Sequence, residues 1–160
     1  MKRLAATVVL GLFASVGSAA AGAAPVKGPY DPAADGWKQV RAAASRAATD
    51  GKRVLVVVGG NWCPWCRALD ALMTGNAALR GEVGAHYELV HLNYSKENKN
   101  PEAMARLGNP DKLGFPSLVV LSPQLAVLHA QESGVFETGD KKAPGHDPAR
   151  LLAFLKQWEK

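Results

Sequence analysis

Trp62-Cys63-Pro64-Trp65-Cys66 is the stretch that decides how this chain is read. It holds both cysteines of the 160-residue sequence, spaced as a Cys-x-x-Cys pair. Upstream lies a continuous apolar run, Val54-Leu55-Val56-Val57-Val58, which predicts a buried strand. Downstream, Arg67-Ala68-Leu69-Asp70-Ala71-Leu72-Met73 has apolar residues at helical spacing. The pair therefore falls where a strand feeds a helix, with Cys63 near the helix N-terminus. Unpaired backbone N–H groups and the positive end of the helix dipole favour a thiolate there. The thiolate is the nucleophile of disulfide exchange. Cys66, one turn further on, is placed to resolve a mixed disulfide. Cys63 is expected to be the more exposed and more acidic thiol, with Cys66 shielded behind it.

The N-terminal segment reads differently. Lys2 and Arg3 precede an apolar run over residues 4–16, and residues 18–24 are small. Ala21-Gly22-Ala23 and Gly22-Ala23-Ala24 both fit an A-x-A-like cleavage site. This predicts a cleaved signal peptide over residues 1–24 and a periplasmic or secreted protein. The run is too short for a membrane span, which needs ~20 residues. No cysteine follows it to carry a lipid. Cleavage after Ala24 leaves 136 residues, enough for one domain with a substantial core. Losing Lys2 and Arg3 lowers the net charge from +5 to +3. The remaining basic residues are scattered, with no run longer than two, so nucleic acid is not indicated.

An exported chain meets an oxidising compartment, where disulfides persist. Small exported domains that need staples carry several of them. Closing a loop as short as Cys63–Cys66 stabilises less than the ~3 kcal/mol of a 15-residue loop. A purely structural disulfide would be a poor use of this pair.

Residues 25–35, rich in Pro, Gly and small residues, read as an extended lead-in to a domain over 36–160. A helix is expected over 36–50, with Trp37, Val40, Ala44 and Ala47 on one face and Gly51 as its stop. Gly75-Asn76 breaks the cysteine helix, and a further helical turn or two is expected over 77–83. Residues 87–93 alternate as a strand. Residues 95–101 are polar and loop-like, and Pro101 suits the first turn of a short helix ending near Leu107-Gly108. A second apolar run, Ser117-Leu118-Val119-Val120-Leu121, turns through Ser122-Pro123-Gln124 into residues 125–131 as an antiparallel hairpin. Residues 133–148 read as a long loop folding over a neighbouring surface. Asp147 caps a last helix over 148–159, with Leu151, Leu152, Leu155 and Trp158 towards the core.

The strand–Cys-x-x-Cys–helix unit in this order of elements resembles the thioredoxin-like family. Gly114-Phe115-Pro116-Ser117 adds to the likeness, because thioredoxin-like proteins carry a cis proline before the matching strand, facing the cysteines. The resemblance covers roughly residue 36 to the C-terminus. It implies an α/β fold, a three-layer α/β/α sandwich with a central mixed sheet. It further implies Cys63 as the attacking cysteine, Cys66 as the resolving one, and a cis Phe115–Pro116 bond. Trp62, Pro64, Trp65, Phe115 and Pro116 would border the bound substrate chain. Proline has no N–H and holds the preceding residue extended, leaving that residue's backbone free to pair with a peptide.

The chain also departs from the family. In thioredoxin the strand before the motif carries a buried acid that assists the resolving cysteine; here that position is Val57. Asp70, four residues after Cys66, reads as a solvated helix-face carboxylate. Pro64-Trp65 stands where thioredoxin has Gly-Pro. Trp62 is expected to be half-buried and Trp65 exposed, with Trp37 and Trp158 in the core. His86, His91, His129 and His146 show no paired spacing and read as structural or solvated.

These residues imply a dithiol–disulfide oxidoreductase, a monomer whose only redox group is the Cys63–Cys66 pair, with no other cofactor. Its partners would be exported proteins bearing thiols or disulfides and a membrane or soluble redox partner. Two alternatives are Cu(I) binding by the cysteines and a binding module without turnover. Zinc would need two ligands beyond the pair, and Met73 and Met104 read as core residues rather than ligands, so no metal site is expected. A peroxidase would want a separate peroxidatic cysteine. The direction of electron flow stays open, with reduction or interchange nearer to the thioredoxin setting.

Overall fold

The computed structural model describes residues 27–140 and 143–160. The expected signal segment, residues 1–24, lies outside them. Among the described residues, no helix is long and apolar enough to cross a membrane.

The elements run α1 (Gly36–Asp50), β1 (Arg53–Gly59), α2 (Pro64–Gly75), α3 (Ala77–His86), β2 (Tyr87–Asn93), α4 (Pro101–Arg106), β3 (Ser117–Leu121), β4 (Val127–Glu132) and α5 (Pro148–Trp158), with 3-10 turns at Pro110–Leu113 and Ser133–Phe136. The sheet order is β2-β1-β3-β4. β1 pairs in parallel with β2 and antiparallel with β3, and β3 pairs antiparallel with β4. The fold is thus an α/β sandwich around a mixed sheet, as the resemblance implies.

Local chemistry explains the element ends. The Asp35 carboxylate accepts the Lys38 N–H at 2.9 Å to start α1, and Gly51, at φ 70°, closes it. Asn76 caps α3 through the Ala78 and Leu79 N–H groups. α3 runs on to His86, three residues past the expected stretch. Asp147 caps α5 through the Ala149 and Arg150 N–H groups.

β1 alternates between two apolar layers. Val54, Val56 and Val58 join Trp37, Val40, Ala43, Ala44 and Ala47 of α1 and Met104 of α4 on one face. Leu55 and Val57 join Leu69 and Met73 of α2, Leu79 and Val83 of α3, and Leu151, Phe154 and Leu155 of α5 on the other. Each fully buried Leu or Val contributes about 1.5–3 kcal/mol relative to exposure. Trp37 is core, as expected. Trp158 is only partly buried: it packs on the edge of the second layer and stacks on His129 of β4, ring centroids 4.5 Å apart.

A buried polar knot ties α1 to the sheet. Asn100 Oδ1 accepts the Gly36 N–H at 2.8 Å, and its Nδ2 donates to the Asn93 carbonyl at 2.7 Å. Asn100 does this from the left-handed region, φ 47°, which asparagine tolerates better than alanine. Asn100→Ala should therefore strand a buried donor and a buried acceptor. The expected loss is about 3 kcal/mol, read as a lower urea midpoint with unchanged slope.

Candidate functional site

β1 ends at Gly59, and the chain turns through Gly60 to Trp62 before α2 begins. The Cys63 N–H donates to the Gly60 carbonyl at 3.0 Å, which tightens this turn. Cys63 is the N-cap of α2 and Pro64 its first residue. Proline suits that place, because its missing N–H would have had no helical partner. Cys63 Sγ accepts the Cys66 N–H at 3.1 Å, doing for α2 what a serine or aspartate cap does elsewhere. Cys63 and Cys66 are joined in a disulfide.

Opposite the pair, the Phe115–Pro116 bond is cis. The Phe115 carbonyl lies 3.9 Å from Cys63 Sγ. Phe115 is the hub of an aromatic group, with the Trp62 ring edge-on at 5.6 Å and the Tyr94 ring tilted at 4.9 Å. The Trp62 indole N–H donates to the Tyr94 carbonyl at 2.7 Å, and the Tyr94 N–H donates to the Gly59 carbonyl at 2.6 Å. A groove of about 470 Å³ opens beside Trp62 and Tyr94, with Lys96 and Lys99 on its wall.

The geometry corrects several expectations. Trp62 is exposed, 56%, and Trp65 is half-buried, the reverse of the sequence-based expectation. The indole hydrogen bond to the Tyr94 carbonyl anchors the exposed Trp62. Trp65 instead meets His146, edge-on at 5.6 Å, from the segment that follows β4. That segment does fold over a neighbouring surface: Phe136 enters the core, the Asp147 N–H donates to the Phe136 carbonyl, and Glu137 bridges His146. Cys63 keeps the expected order against Cys66, yet it is itself buried. Its exposure is 3% against 0% for Cys66, because Phe115 and Trp65 pack against the pair.

Asp70 is not a solvated carboxylate. It lies half-buried with Oδ1 3.1 Å from His91 Nε2, at ion-pair distance but off hydrogen-bond geometry. Burial holds His91 below the usual imidazole range, and Asp70 opposes that only in part. His146 is buried with neither ring nitrogen hydrogen-bonded among the described residues, and burial lowers its proton affinity too. Among the described residues, the group of His, Cys, Asp and Glu side chains close enough to share an ion is Glu82, His86 and Glu159, which includes neither cysteine.

Tyr30 belongs to the site although sequence reasoning passed over it as part of the lead-in. It is fully buried in one cluster with Cys63 and Cys66. Asn61, just before Trp62, clamps it: the Tyr30 N–H donates to Asn61 Oδ1 at 3.2 Å, and Asn61 Nδ2 donates to the Tyr30 carbonyl at 2.7 Å. An aromatic residue shortly ahead of a helix start was the available signal, and it says nothing about a partner more than 30 residues on.

In the reduced protein the Cys66 N–H and the N-terminus of α2 both favour a Cys63 thiolate. Iodoacetamide at neutral pH should therefore modify Cys63 first, roughly tenfold faster than Cys66. Peptide mapping after partial alkylation reads the order, and preferential labelling of Cys66 would reverse the assignment of roles.

The comparisons with known proteins agree with this geometry. Comparison with curated proteins finds no match. Among solved structures, a disulphide isomerase from Xylella fastidiosa Temecula1 is similar, at 28% identity and a TM-score of 0.70, over 83% of this chain and 98% of that one. The DsbH oxidoreductase shares the fold at 23% identity and a TM-score of 0.50, over 72% of this chain and 77% of its own. A family model described as thioredoxin-like matches residues 36–123. That span is more than half of the sequence and takes in the strand before the motif, both cysteines and Phe115-Pro116, so the chain belongs to the thioredoxin-like family.

Proposed function

We propose that this protein is an exported thiol–disulfide oxidoreductase that reduces or interchanges disulfides in protein substrates. One observation carries the reading: the Cys63–Cys66 disulfide sits at the start of α2, with Cys63 Sγ accepting the Cys66 N–H, directly facing the Phe115 carbonyl. The likeness to a disulphide isomerase supports interchange as well as reduction.

The chemistry follows from the two sulfurs. In the reduced protein the Cys63 thiolate attacks one sulfur of a substrate disulfide. The substrate S–S bond breaks, and the departing sulfur takes up a proton. The Cys66 thiolate then attacks Cys63 Sγ, the second substrate sulfur leaves and is protonated, and Cys63–Cys66 closes. Two electrons pass to the substrate, and an external dithiol partner returns them. Exposed Trp62, with Phe115 and Pro116 behind it, offers the apolar surface on which an extended substrate segment would rest. Pro64 and Trp65 line the other side of the pair.

Cys66→Ser should accumulate mixed disulfides, whereas Cys63→Ser should abolish exchange. Non-reducing gels and an insulin-reduction assay decide this. Full turnover by Cys66→Ser with no trapped species would exclude the two-cysteine mechanism. The equilibrium potential against glutathione fixes the direction of flow: near −270 mV, about that of thioredoxin, it fits a reductase, and near about −120 mV an oxidase.

Export rests on the Lys2-Arg3 start, the short apolar run and the small-residue exit. The protein recovered from the periplasmic or secreted fraction should begin near Pro25 by intact mass. A membrane-embedded chain that still begins at Met1 would overturn this part of the proposal.

A further inference from the structure

Resolution of a mixed disulfide needs Cys66 as a thiolate, and Cys66 is fully buried. A charge in such a place is costly unless a hydrogen-bond donor meets it. β1 offers none, since Val57 stands where thioredoxin carries its acid and is itself part of an apolar layer. The donor has to come from elsewhere in the fold.

Tyr30 is placed to be that donor. Its hydroxyl is buried and, among the described residues, has no hydrogen-bond partner while the disulfide is closed. A disulfide sulfur is a weak acceptor, whereas a thiolate is a strong one. The positions converge over Gly59: a Cβ added there would lie 2.5 Å from Cys66 Sγ and 3.0 Å from Tyr30 Oη. Glycine at the end of β1 thus leaves room for the sulfur and the hydroxyl to share one space. The ring is fixed by the Asn61 clamp on its backbone and by His91, edge-on at 5.2 Å. The titratable groups facing it are Asp70 and the two cysteines from the α2 side and His91 from β2; β1 contributes none there.

We propose that Tyr30 is the hydrogen-bond donor that sustains the Cys66 thiolate, held in place by Asn61 and His91. The role rests on the reading above that Cys66 is the resolving cysteine. Cys66 gives its proton to solvent, and its thiolate attacks Cys63 Sγ. The bond between Cys63 and the substrate sulfur breaks, and the electron pair leaves on that sulfur, which is protonated by water. Tyr30 keeps its own proton throughout. Burial first, and the nearby Asp70 charge second, push its phenol above the usual range, so it donates rather than acts as a base. Asp70 and His91 thereby act through Tyr30.

The test is the acidity of Cys66 in the full chain carrying Cys63→Ala, followed by thiolate absorbance and by iodoacetamide rates against pH. Adding Tyr30→Phe removes the hydroxyl and keeps the ring. It should raise the Cys66 pKa by about one unit or more and slow alkylation at neutral pH about tenfold. Matching thermal unfolding of the two variants excludes a general loss of packing. An unchanged Cys66 pKa in a folded Tyr30→Phe protein overturns the proposal. Should Tyr30→Phe fail to fold, the Cys63→Ala protein with Tyr30 intact decides. A Cys66 pKa well above about 8.5 overturns the proposal; one at or below it supports the proposal if Asn61→Ala, which removes the clamp on Tyr30, raises it, and overturns the proposal if it does not. No substrate enters these measurements, so their outcome is separate from the direction or identity of the exchange reaction.

Discussion

β1 is paired along both edges and covered on both faces, and the site depends on that confinement. Val54 to Val58 are buried, with β2 on one side, β3 on the other, and a helical layer above and below. A strand held this way cannot slide without breaking its ladders on both edges and repacking the layers on both faces. Its end is therefore a fixed point, and Gly59 delivers the chain from there into the turn that starts α2. The cysteines, the cis Phe115–Pro116 bond at the head of β3 and the Tyr94 backbone after β2 all meet at that end, because the cysteines follow β1, Tyr94 follows its parallel partner β2, and Phe115–Pro116 precedes its antiparallel partner β3.

The apolar completeness of β1 has a chemical consequence. An acid at Val57 would sit among Leu55, Leu69 and Leu118, and keeping it charged there would cost stability. This chain keeps that layer free of charge and gathers its polar groups beside the strand instead. His91 lies across from Val57 in the parallel pair, Asp70 approaches from α2, and Tyr30 comes from a segment ahead of α1. One strand, one helix and a clamped loop bring these three groups together.

The surface around the pair divides in a similar way. Trp62, Phe115 and Tyr94 form an aromatic shelf on one side, bound into the backbone by the Trp62 indole hydrogen bond. On the other, Trp65 is covered by His146 from a segment that closes back through the Phe136 carbonyl. Exposed apolar area beside the cysteines is therefore concentrated at Trp62.

Much of this was legible in the residues themselves. Asp35 and Gly51 around α1, the β2 span over 87–93, Pro101 at the start of α4 and Asp147 before α5 are local signals: capping, proline geometry and periodicity act within a few residues. The cysteine pair and Phe115-Pro116 were legible for the same reason, as short motifs at the ends of recognisable strands. What sequence alone left undecided, or placed the wrong way round, depends on contacts across the chain. Trp62 and Trp65 have similar neighbours in sequence, and only Tyr94 and His146, from distant segments, settle which is exposed. Asp70 looked solvated until β2 brought His91 beside it. Tyr30 and Asn100 looked like loop residues, yet their partners lie 31 and 64 positions away. Periodicity and capping report the energetics of a single turn or strand, whereas burial and the pairing of polar groups are fixed only when the layers close around β1.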